Sequence, residues 1–266
     1  MTTPMEPPLR VMGASPRRKA RAPRMAEVVA DSLRAQILAG EIEVVPQLDV
    51  LVREFDVGPP AVREALRILE TEGLVTVRRG KVGGADVHMP TNDRVAYTLS
   101  LVLQSNDAPL SDVGSALRHL EPVCAAMCAG RPDRSIAVVP RLRELLVEQE
   151  AAIGDRPRSL RIVDEFHSVL VQECGNQTLV QVVGALEQVW ASHAHVVLDG
   201  EGVELAPEKL WRASLVEHAA LVDAIEAGDG LGAAGLANAH LVATHAYMSG
   251  VDDSTRVTAS LVQKRL

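Results

Sequence analysis

Apolar positions recur at helical spacing along most of this 266-residue chain, and Gly or Pro marks the breaks. Between Met25 and Ala39, Val28, Val29, Leu33, Ile37 and Leu38 keep that spacing until Gly40 stops it. Val50 to Phe55 predicts a short helix, and Asp56-Val57-Gly58 a tight turn. Pro59 to Glu72 predicts the next helix: Pro is tolerated at its first positions, and Gly73 ends it. Two β-like runs follow, Leu74–Arg78 and Val82–Val87, around Arg79-Gly80-Lys81. His88 to Thr91 reads as a linker. Beyond it the pattern is helical throughout, with helices near 93–105, 111–130, 136–152, 158–174, 177–198, 207–227 and 230–248. Pro140 starts or kinks the third of these. The tail, 251–266, carries no clear pattern.

The fold class is therefore mainly α: a winged helix-turn-helix over residues 25–90, then an all-helical bundle of six or seven helices over 91–250. Composition agrees. Aromatics make up only 2% of the chain, so the core must be Leu, Val and Ala, which favours packed helices. No apolar run reaches the roughly 18–20 residues of a membrane span. The start has no apolar signal segment, and a cytoplasmic location is expected. Cys124, Cys128 and Cys174 lack a disulfide-framework spacing and read as buried thiols.

The net charge of −8 is unevenly spread. Residues 1–90 hold 13 Lys/Arg against 12 Asp/Glu, and the remainder holds 14 against 23. Residues 1–24 are rich in Pro and Arg without periodicity and read as a disordered basic arm. An acidic body with a basic front meets a polyanion through the front. Taken at 3.6 residues per turn, Val62, Ala65, Leu66 and Leu69 face inward, which leaves Pro60, Arg63, Glu64 and Arg67 outward. Arg63 and Arg67 suit phosphate or guanine contact. Arg78, Arg79 and Lys81 surround Gly80 in the hairpin, and Gly83-Gly84 allows close approach to a groove. The same charges would also suit a solvated face on a protein-binding winged helix.

The block Val62-Arg63-Glu64-Ala65-Leu66-Arg67-Ile68-Leu69-Glu70, then Glu72-Gly73-Leu74-Val75 and Val77 to Ala85, resembles the GntR superfamily of bacterial transcription regulators, in particular its FadR-like branch. The resemblance implies a homodimer on double-stranded operator DNA, often a repressor, with an effector domain behind the reader. The chain departs from the pattern at Gly58, Pro59 and Pro60, where the family has Ser/Thr and a basic or polar residue, and at Asp49, where it often has Arg. Arg63, Arg67 and the wing must then carry more of the binding.

Asp164 to Leu170 with Cys174-Gly175-Asn176, and Glu217 to Asp229 followed by His240, are similar to the FCD effector domain of that branch. The resemblance implies a divalent metal bound by one Asp and three His. The angles point the same way. His167 shares a face with Val163, Phe166 and Leu170, and His218 with Leu221, Val222 and Ile225. His240 sits among Ala233, Leu236 and Ala237, while His245 points about 140° away on a regular helix. Three inward imidazoles on three helices suit zinc or nickel, though each could instead be a satisfied core residue. The family's Asp falls on Val163 here, so Asp164 is the nearest fourth ligand. His193 also faces inward, as a reserve or supporting residue, and Arg118 could clamp an effector carboxylate or form a structural ion pair. A small organic acid is the expected effector. A metal site with an open position would also suit a hydrolase, but no additional general base stands out, and no enzymatic activity is expected.

Overall fold

A computed structural model describes residues 24–78, 83–198, 208–251 and 255–263. They form two compact units that part between Pro90 and Thr91. The basic arm ahead of Arg24 and the wing residues Arg79, Gly80, Lys81 and Val82 lie outside the described residues.

The first unit runs α1 (Met25–Leu38), β1 (Val44–Val45), α2 (Leu48–Glu54), α3 (Pro59–Glu72), β2 (Val75–Val77) and β3 (Ala85–Val87). Pro59 and Pro60 open α3, where a missing N–H breaks no helical bond. Gly73 closes it at φ +72°, a conformation that costs glycine nothing. The inward face of α3 is the expected one: Val62, Ala65, Leu66 and Leu69 are buried. They pack with Leu33, Ile37 and Leu51 into one core, and each fully buried Leu or Ile contributes about 1.5–3 kcal/mol. Arg34 forks onto Glu72, with Nε to Oε2 at 2.8 Å and Nη2 to Oε1 at 2.7 Å, and so ties α1 to the end of α3.

Several details differ from the sequence pattern. Val28 and Leu38 of α1 are exposed, because the buried stripe is the narrower one of Ala26, Val29, Ala30, Leu33 and Ile37. The sheet has a third strand, β1, in the antiparallel order β1-β3-β2. Two residues are too few for an alternating pattern to register. Gly84, at φ +78°, has a role inside the fold: a Cβ there would lie 2.5 Å from the Val45 carbonyl oxygen. Its missing side chain admits the chain's own strand.

The second unit comprises α4 (Asn92–Ser105), α5 (Leu110–Gly130), α6 (Arg134–Ala137), α7 (Val139–Ala151), α8 (Arg156–Gln172), α9 (Gln177–Leu198), α10 (Glu208–Ala227), α11 (Gly230–Val251) and α12 (Ala259–Gln263). The single helix expected over 136–152 is two. Pro140 sits in the first turn of α7, where its missing N–H is harmless, so a new helix starts there. Apart from the short α6 and α12, the long helices number seven among the described residues. Their core is Leu, Val, Ile, Ala and Cys around one aromatic, the fully buried Phe166. All three cysteines are buried and unpaired, and burial pushes the Cys128 thiol up to about 12.

The tail folds back on the bundle. Leu110 N–H donates to Thr255 O (2.9 Å) and Val257 N–H to Ala108 O (3.0 Å). Ala259 N–H donates to Gln104 Oε1 at 2.8 Å, which sets α12 against α4 and α9.

Candidate metal centre and DNA-contact face

His167 on α8, His218 on α10 and His240 on α11 each offer a ring nitrogen, and the three lie within 4.8 Å of one another. Each Nδ1 is held from outside the cluster. His167 Nδ1 meets Glu121 Oε1 at 2.6 Å, His218 Nδ1 meets Gln149 Oε1 at 2.9 Å, and His240 Nδ1 meets Glu217 Oε2 at 2.7 Å. These oxygens only accept, so each Nδ1 carries the hydrogen and each Nε2 is left with a lone pair. His218 Nε2 and His240 Nε2 are 3.1 Å apart. Two lone pairs at that range repel unless a cation lies between them. Nitrogens on a tetrahedral zinc are about 3.3 Å apart, from Zn–N distances of ~2.0–2.1 Å, so the donor set fits a metal. Acceptors behind the imidazoles are the usual support of such ligands.

The electrostatics agree. Burial, with His240 and His167 as neighbours, holds His218 well below the ordinary imidazole range. His240 is lowered too, by burial and His167, against the pull of Glu217. Burial also lowers His167, but the Glu121 carboxylate, backed by Asp164, outweighs it and moves it upward. Phe166 stacks on His218 with ring centroids 4.0 Å apart and fixes the imidazole plane.

His167 forms part of the wall of a cavity of about 360 Å³. Asp164 lines the same cavity without joining the three-nitrogen cluster, and Val163 lies beside it. Glu121, Glu187, Asp93 and Asn92 also line it, and no Lys or Arg does among the described residues.

Arg118 does not reach the wall. It donates through Nη1 to His245 Nδ1 at 3.1 Å, and His245 is the residue facing the cavity. His245 is buried although its helical angle sets it about 140° from His240. α11 packs against both α5 and α10, so it buries two faces and has no single inward direction. His193 is also elsewhere: its Nδ1 donates to Val189 O at 2.7 Å and its Nε2 accepts from Thr258 N–H at 2.8 Å. Both nitrogens are engaged, so His193 anchors the tail rather than an effector. Glu121 and Gln149 were detectable in principle. Each interrupts the buried apolar stripe of its helix, and a polar residue there needs a polar partner.

His245 carries a pH prediction. Burial against Trp190, then Arg118, pushes it down to about 3. An unfolded imidazole takes its proton near 6.5. Below that pH the unfolded chain binds a proton that the folded one refuses, so stability falls from about pH 6.5 towards 3. The expected loss by pH 5 is about 1–2 kcal/mol, at ~1.4 kcal/mol per unit. His245→Gln should melt with a shallower dependence between pH 7 and 5 than the wild type. An equally steep decline would show that His245 is not its source.

In the first unit Arg63 is exposed on α3 and makes no ion pair among the described residues. Arg67 is exposed and held by Glu64, Nη2 to Oε1 at 2.8 Å. Arg78 forks onto Asp86 across the strands, with Nε to Oδ2 at 2.8 Å. Such exposed pairs are worth about 0–1 kcal/mol, so a phosphate can displace them. Pro60 is exposed beside Pro59, and the two remove N–H groups that a helix start would otherwise offer to phosphate.

Known proteins bear on both units. Residues 25–82 match the profile of bacterial regulatory proteins of the gntR family, and residues 112–243 match the FCD domain. The HTH-type transcriptional repressor NanR of Cronobacter sakazakii is 28% identical over 214 residues, covering 77% of this chain and 78% of that protein. NanR of Salmonella arizonae is 27% identical over 229 residues, covering 84% and 83%. A solved GntR structure from Streptococcus agalactiae superposes with TM-score 0.64 at 24% identity, over 82% of this chain and 98% of that one. No helix among the described residues is long and apolar enough to cross a membrane.

Proposed function

We propose that this chain, which belongs to the GntR family of bacterial regulatory proteins and to its FadR-like branch with an FCD domain, represses transcription in the cytoplasm as a homodimer on a two-fold operator, and senses a small organic acid at a divalent metal. It is a transcriptional regulator and not an enzyme, as its named relatives are. Residues 25–90 read DNA, and 91–250 bind the effector and pair the subunits.

One observation carries the sensing half: three imidazoles converge beside a cavity whose wall His167 joins, each fixed from behind by an acceptor. His167, His218 and His240 would hold zinc or nickel, which supplies a Lewis-acidic site for an effector carboxylate oxygen. Asp164, or that oxygen, completes the coordination. The acceptors behind them orient the ligands, and burial favours the neutral form of His218 and His240. Arg118 acts through His245, whose ring it positions at the cavity. Effector binding alters DNA affinity only to the extent that it favours one dimer arrangement over another.

For the reading half, Arg63 and Arg67 of α3 face the major groove, with Pro60 at the helix start. Arg78 and the wing residues Arg79, Gly80 and Lys81 meet the flanking backbone. One reader makes few base contacts, and a second half-site supplies the remaining affinity. Sizing and footprinting on DNA upstream of its own gene test this. A dimer protecting two related half-sites, released by small acids when metal is present, is expected. A monomer covering one asymmetric half-site would overturn it.

A further inference from the structure

The cavity beside the histidines has a second pole. Glu187 and Asn92 both line it, and Glu187 Oε1 and Asn92 Oδ1 are buried oxygens without a hydrogen-bond partner. The Asn92 amide orientation is set by its other end, since Nδ2 donates to Val180 O at 3.1 Å. The oxygen is therefore the end left without a partner. Gly184 makes room for this: a Cβ there would lie 2.5 Å from Asn92 Nδ2. Buried acceptors are seldom left unpaired, because each forfeits the bond that water gave it. Two in one cavity call for a donor-rich guest.

The charge of the wall narrows the guest further. Asp93, Glu121, Asp164 and Glu187 face the space, without a compensating Lys or Arg among the described residues. Two of them are already engaged. Glu121 accepts from His167, and Asp93 accepts from Gln188. Glu187, whose carboxyl burial and the nearby Glu121 and Asp164 push well upward, is left with an unmet oxygen next to an unmet amide oxygen, and only a cationic partner would favour its ionised form. A free carboxylic acid, placed alone in such a cavity, would meet repulsion everywhere except at the metal. A cationic donor would be attracted to the Glu187–Asn92 pole. The volume of about 360 Å³ is at the small end of the ~300–1,000 Å³ typical of small-molecule sites.

We propose that the effector is a small amino acid-like molecule, with its acid end at the three-histidine centre and an ammonium group against Glu187 Oε1 and Asn92 Oδ1. The acid end rests on the metal reading above; the ammonium end rests on Glu187 and Asn92 alone. A charge-assisted bond to a buried partner is stronger than a neutral one. A wall without cations then discriminates by terminal group, in the order ammonium, hydroxyl, methyl.

The test uses the full-length, metal-loaded protein and three matched probes: 4-aminobutyrate, 4-hydroxybutyrate and butyrate, with their shorter and longer homologues. Calorimetry should show the best amino acid binding at least about tenfold tighter than its hydroxy and unsubstituted counterparts. Glu187→Gln keeps the shape and removes the charge. It should retain metal content and melting temperature while the ammonium preference shrinks to severalfold or less. Equal binding of the hydroxy acid, no binding by any amino acid, or an ammonium preference untouched by Glu187→Gln would overturn the proposal. A chelated sample separates the two ideas. If an amino acid still binds there through Glu187, with full affinity, the ammonium pole stands and the metal reading fails. If all the acids bind only with metal and without regard to their far end, the metal reading stands and the ammonium pole fails.

Discussion

Arg63→Ala combined with Arg67→Ala is expected to weaken operator binding at least about thirtyfold while leaving the fold of the first unit intact. Both side chains stand on the exposed face of α3, opposite Val62, Leu66 and Leu69, so their removal opens no cavity. A bidentate base contact is worth about 1–3 kcal/mol, and a lost phosphate contact flattens the salt dependence by about one unit. The two positions differ. Arg67 neutralises Glu64 through two hydrogen bonds, so Arg67→Ala also leaves a carboxylate facing the DNA. Arg63 has no such partner, and Arg63→Ala removes a contact only. Titrations of operator and unrelated DNA at several salt concentrations separate base reading from phosphate contact. Unchanged affinity in the double variant, with an unchanged salt slope, would take α3 out of the groove.

Chelation of the second unit should lower its melting temperature by roughly 10 °C, and His218→Ala should abolish metal retention. A ligand present at about a thousand times its dissociation constant stabilises by ~4 kcal/mol, and ~1 kcal/mol is worth roughly 2–4 °C in a domain of this size. The physical reason lies between His218 and His240. Their Nε2 atoms are 3.1 Å apart, and both Nδ1 hydrogens are committed to Gln149 and Glu217. Without a cation one ring must take a proton, which burial opposes, or the rings must part. His218→Ala also removes the stack on Phe166, so its stability loss alone is ambiguous. Metal content and the response of the wild type to chelator decide. Protein purified without nickel resin should carry close to one zinc or nickel per chain. If it carries none, and chelator leaves melting unchanged, the three histidines are core residues.

Much of the molecule was legible in its residues because the signals are local. The stripe Val62, Ala65, Leu66 and Leu69 fixes which face of α3 is outward, and Gly73 stops the helix for a backbone reason. His167, His218 and His240 each sit on an apolar face of one helix, so their inward direction follows from 3.6 residues per turn. Three features escape such local signals. β1 is too short to show a period. Pro140 admits both a kink and a helix start, and the packing of α6 and α7 chose the start. His245 sits on a helix buried on two sides, where one direction cannot be called inward.

The helical class, the winged helix-turn-helix, the outward arginines and the inward direction of the three imidazoles thus follow from the residues alone. Each depends on neighbours within a few turns of one element. Only the tertiary structure decided what stands behind those imidazoles: Glu121 reaches His167 from 46 positions away, Gln149 reaches His218 from 69, and Glu217 reaches His240 from 23. It likewise placed Arg118 behind His245, turned His193 to the tail, and brought Glu187 and Asn92 together with their oxygens unpaired. Such pairings depend on which helices lie side by side, and no periodicity within one helix encodes its neighbour.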